Sequence, residues 1–90
     1  MVFHWPEPGR RESLAASMRD MRERLLATPG CVDVAPPYAG DVEGDCLVGM
    51  STWESKEAFD AADIPRRPPE IVEGETRPRQ RFFLQEILPT

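Results

Sequence analysis

One imidazole stands in the whole chain, at His4 in the stretch "VFHW". An unperturbed imidazole titrates near pH 6.5, so His4 is the candidate for proton transfer close to neutrality. Trp5 and Trp53 each offer an indole N–H and a flat apolar face. Tyr38 adds a phenol, Arg79 a fixed fork of donors and Phe59 an apolar ring. Packing makes a competing claim on the same residues. A lone His on a short, edge-like strand often serves structure, Tyr38 beside Pro36 and Pro37 forms a rim, and Trp53 closes a core where a strand meets a helix.

Other chemistries are excluded early. A metal site lacks ligands, because there is a single histidine and the two cysteines, Cys31 and Cys46, have no CxxC spacing. In a hairpin folding back near Gly40, Cys31 faces the end of the second strand and Cys46 sits at its beginning. That separation exceeds the roughly 7 Å a disulfide spans, so both are expected as reduced thiols. The net charge of −5 repels phosphate backbones and argues against nucleic acid. Arg66, Arg67, Arg77, Arg79 and Arg81 crowd toward the C-terminus, but Glu70, Glu73 and Glu75 are interspersed, which reads as a solvated mixed-charge surface. The apolar runs fall far short of the roughly 18 residues a membrane span needs. No basic segment followed by an apolar stretch opens the chain, so a cytoplasmic protein is expected.

The elements that must position these residues follow from periodicity. The 90 residues suit one domain, 1–90, with a thin core. "VFHW" is β-favouring and stops at Pro6 and Pro8. Leu14, Met18, Met21 and Leu25 recur at helical spacing, with Arg19, Asp20, Arg22 and Glu23 opposite, which predicts a core-facing stripe on a helix over 10–27. Thr28-Pro29-Gly30 ends it. "CVDVA" predicts a half-buried strand, 36–45 a loop containing Tyr38, and "CLVGMSTW" a second strand in which Gly49 marks a bulge or a close approach by another group. Ser55 suits the N-cap of a short helix over 56–62. Four prolines make 63–78 an irregular connection, and "RQRFFLQEIL" supplies the last strand.

The resulting order, βαββαβ, predicts a ferredoxin-like α+β fold, with a four-stranded antiparallel sheet and two helices on one face. The uncovered face would expose apolar residues, and such faces mark interfaces. A homodimer formed by two sheets facing each other is therefore expected.

"PGRRESL", "TPGCVDV" and above all "LVGMSTWESKEAFDAA" resemble the antibiotic biosynthesis monooxygenase family of dimeric α+β barrels. The resemblance covers roughly residues 2–62 and, more loosely, the final strand; the proline-rich stretch departs from it. It implies subunits paired through their sheets, with a pocket for a small hydrophobic or aromatic ligand between sheet and helices. Some members oxygenate anthrone-type polyketides without metal or flavin, others degrade haem or handle quinones, so the fold alone does not name the activity.

Cofactor-free oxygenation needs a substrate that becomes an electron-rich carbanion, with a base and hydrogen-bond donors in a dry pocket. What this chain offers for that chemistry is His4 as the base, Trp5 and Trp53 as donors or stacking surfaces, Tyr38 and Arg79 as polar contacts, and Phe59 against the substrate. The chain has no asparagine, which the oxygenating members share. A haem ligand is expected on the second helix, where there is no histidine, and Ala62 stands where the haem degraders carry tryptophan; haem is not expected. Two readings follow: a cofactor-independent monooxygenase-like enzyme for polyketide- or quinone-type substrates, and a non-catalytic, small-molecule-binding or stress-associated barrel.

Overall fold

Ala35 and Met50 are where a long hairpin bends. The computed structural model describes residues 1–62 and 72–87. In it, β1 (Val2–His4) precedes α1 (Arg11–Leu26), β2 (Cys31–Val34) and β3 (Tyr38–Gly40). Then come β4 (Cys46–Gly49), β5 (Ser51–Trp53), α2 (Lys56–Ala61) and β6 (Gln80–Arg81). β2 pairs with β5 and β3 with β4, both antiparallel, and Ala35 N donates to Met50 O at 2.9 Å between the two halves.

Two corrections to the expected strands come from this bend. Tyr38 lies in a strand, not a loop, because Pro36-Pro37 interrupts the ladder only locally and pairing resumes at Tyr38↔Val48. The 46–53 segment breaks at Met50, next to Gly49. A methyl group built on Gly49 would lie 3.3 Å from Met18 Cε, so the glycine admits the helix.

The larger sheet has the order β3-β4-β1-β6, with every pair antiparallel. His4 therefore lies on an interior strand, between β4 and β6, and not on an edge. The last strand is shorter than expected: Phe82 N donates to Met1 O at 2.8 Å and Met1 N returns a bond to Phe82 O at 3.1 Å. Beyond Phe82 the residues lie past the end of β1, so 83–87 have no partner strand in this sheet.

Strand register assigns the two faces, since directly opposed residues share a side. Val2↔Gly49 and His4↔Leu47 belong to the face that meets Met18 of α1. Phe3↔Val48 and Tyr38↔Val48 belong to the other. On that outer face Phe3 stacks on Trp5, with centroids 6.1 Å apart, and meets Phe82 edge-on at 5.6 Å. Trp5 is buried there: its Nε1 donates to Val42 O at 2.9 Å, and the Arg77 guanidinium covers its ring. Tyr38 and Phe82 remain about half exposed.

α1 follows its periodicity with one rotation. Leu14, Ala15, Met18 and Leu25 turn inward, but Met21 is exposed and Arg22 is half-buried. Arg22 lays its stem along the body and donates from Nε to Val34 O at 2.8 Å. Thr28 Oγ1 closes the helix end by donating to Arg24 O, and Gly30 takes φ +86°. α2 starts as expected, with Ala58 N donating to Ser55 Oγ at 3.0 Å. Over the described residues the molecule is thus a small α+β domain with antiparallel sheets and two helices. Among the described residues no helix is long and apolar enough to cross a membrane.

Candidate functional site

His4 is brought to the α1-facing side of the sheet by alternation along β1, and burial there leaves it 7% exposed. The charge beneath it comes from residues 72–79, which run antiparallel to the end of β1 without forming helix. Glu7 N donates to Gly74 O at 2.8 Å, Thr76 N to Trp5 O at 2.8 Å, and Pro6 bridges Glu75. Gly74, at φ +86°, makes the turn that a residue with a side chain would resist. The part of the expected connection that covers 63–71 lies outside the described residues.

Glu75 is thereby buried at 4% exposure, and a buried carboxylate needs compensation. Arg79 supplies it. Its Nε donates to Oε1 at 3.1 Å and to Oε2 at 3.0 Å, and its Nη2 to Oε2 at 2.8 Å. Glu75 Oε1 lies 3.5 Å from His4 Nδ1, which makes no hydrogen bond among the described residues. Burial pushes the His4 pKa down to about 4, helped by the positive charges of Arg79 and Arg81 and opposed by Glu75. The imidazole is therefore neutral at pH 7, with one ring nitrogen unprotonated.

The remaining expected site residues divide into three places. Arg79 joins His4 through Glu75. Trp5 lies on the opposite face of the same sheet, its N–H committed to Val42 O. Tyr38 is on the outer face of β3, half exposed. Trp53 and Phe59 form a separate aromatic group on the smaller sheet and α2. Their rings meet edge-on at 5.5 Å, and Phe59 meets Phe83 at 5.2 Å. Trp53 Nε1 donates to Ser51 Oγ at 2.9 Å, so its donor is used locally.

A pocket of about 340 Å³ opens beside this aromatic group, walled by Thr28, Pro29, Gly30, Glu54, Ala58 and Ala62. None of the residues expected to touch substrate lines it. Cys31 and Cys46 are free thiols set against Trp53 and Gly40, the separation that the hairpin implies. Among the described residues no cluster of three His, Cys, Asp or Glu could hold a metal ion.

Glu75 is the member of the buried group that sequence reasoning missed. Its only signal there was the four-residue spacing to Arg79, which means little outside a helix; its pairing with His4 spans most of the chain. Compared with protein-family models, with curated proteins and with solved structures, the chain matches none.

Proposed function

We propose that the chain is a homodimeric, monooxygenase-like α+β barrel protein of the antibiotic biosynthesis monooxygenase type. On this reading it oxygenates a small aromatic, enolisable substrate of polyketide or quinone type with O₂, without metal or flavin. The strand order supports the fold: with β2/β3 and β4/β5 counted as the arms of one bent hairpin, β3-β4-β1-β6 is compatible with the sheet of a ferredoxin-like βαββαβ unit. The bare outer face carrying Phe3, Tyr38, Val48 and Phe82 supports pairing through the sheets.

The observation that carries the reading is the neutral, buried His4 on the side of the sheet that faces α1. There His4 takes a proton from an activated CH₂, leaving a delocalised carbanion that gives electrons to O₂. The balance is R₂CH₂ + O₂ → R₂C=O + H₂O: both C–H bonds break, one oxygen enters the carbonyl, the other leaves as water, and the substrate supplies all the electrons. An oxygen electrode with anthrone as probe tests this. Equimolar uptake and carbonyl formation, lost in His4→Gln, is the expected result; uptake at the protein-free rate, or undiminished in His4→Gln, rejects it.

A second reading rests on the spent donors. Trp5, Trp53 and Arg79 all hold protein acceptors, and an imidazole with a pKa near 4 is a weak base. A non-catalytic barrel that binds a small hydrophobic molecule would show ligand-dependent thermal stabilisation with the ligand recovered unchanged.

A further inference from the structure

We infer that Glu75 is the positioning residue of His4, holding its Nδ1–H and so presenting Nε2 as the proton acceptor. The inference rests on His4 being the base of the proposed reaction and assigns the group that aims it. A neutral imidazole carries one N–H, and which nitrogen bears it is decided by what the other surroundings accept or donate. Nδ1 is buried, and among the described residues the polar atom brought to it is Glu75 Oε1, an acceptor at 3.5 Å. A proton on Nδ1 is attracted by that oxygen, whereas a bare Nδ1 lone pair is repelled by it.

Glu75 cannot turn away. Arg79 grips Oε2 with two donors and Oε1 with one, and the backbone on either side is pinned: Glu75 N donates to Val72 O at 3.0 Å and Thr76 N to Trp5 O. The charged groups acting on His4 are Glu75, Arg79 and Arg81, and Glu75 alone among them favours a proton on the ring. A shift of a few tenths of an ångström closes 3.5 Å to an ordinary hydrogen bond. Second groups of this kind fix the tautomer of a reactive histidine without touching the substrate.

The test uses the full chain labelled with ¹⁵N, where a single histidine makes the ring signals unambiguous. Near pH 7 the two-bond ¹H–¹⁵N spectrum of the wild type should show the Nδ1–H form in at least about tenfold excess, as a charge-assisted acceptor requires. Glu75→Gln should reverse the preference, because Arg79 claims the amide oxygen and leaves the amide N–H₂ facing Nδ1. Arg79→Lys, which keeps the carboxylate, should keep the Nδ1–H form. A wild type in the Nε2–H form, or a Glu75→Gln chain with the wild-type tautomer, overturns the inference. If Glu75→Gln does not fold, the wild-type spectrum decides alone. A wild type that consumes no O₂ but shows the expected tautomers refutes oxygenation and leaves the Glu75–His4 relation standing.

Discussion

Arg77 lies over the indole of Trp5, with its guanidinium carbon 3.8 Å from the ring centroid, and also holds Glu43 through both the backbone carbonyl and the side chain. The contact ties the turn between β3 and β4 to the segment before β6 and covers the one tryptophan on the outer face. Glu43, at φ +53°, holds a backbone conformation costly for a residue with a side chain, and Gly44 follows it at φ +108°. Arg77→Ala is expected to destabilise the chain by about 1–2 kcal/mol, the range of a partly desolvated cation–π contact with an added hydrogen bond. Urea unfolding measures the loss, and the Trp5 emission should shift red as water reaches the ring.

Protonation of His4 couples stability to pH. The unfolded chain binds a proton at His4 below about pH 6.5, whereas the folded chain resists it until about pH 4. Stability therefore falls as pH drops through that window and the His4 contribution is complete below it, at a cost of about 3 kcal/mol. Above pH 6.5 the penalty is absent. Denaturant midpoints measured at intervals from pH 7 to pH 4 should fall more steeply for the wild type than for His4→Gln; parallel curves would contradict the buried, neutral imidazole.

Gly30 faces two demands at once. Its φ of +86° disfavours a side chain, and a methyl group built on it would lie 2.7 Å from Ala58 Cβ, below any real contact. Gly9 has nearly the same φ, +84°, with open space around it. Gly9→Ala should thus cost only the backbone penalty of about 1–2 kcal/mol, and Gly30→Ala about 1–3 kcal/mol more. Thermal unfolding of the pair isolates the close approach of α2, and equal losses would count against it.

Much of this architecture was legible because it is local. Thr28-Pro29-Gly30 ended α1, Ser55 capped α2, and the aromatic first strand stopped at Pro6 as β-propensity requires. The helix stripe differs from its periodicity at Met21 because Arg22, charged and expected outside, buries its stem and still finds an acceptor at Val34. Pro36-Pro37 reads as the start of a loop through Tyr38, but it only obscures a strand that resumes at once. The site was half legible. His4 stood out by chemistry, but Glu75 becomes its neighbour only when residues 72–79 pair with the end of β1, a contact without local periodicity.

The central claim is that the larger sheet divides its work, with His4 toward α1 and an aromatic outer face toward a second copy. Sedimentation equilibrium at low micromolar concentration tests it most directly. The wild type should sediment at twice the 10.2 kDa of the chain, and Tyr38→Glu with Phe82→Glu at the single-chain mass while still folded. A wild type that is monomeric at that concentration would contradict the account.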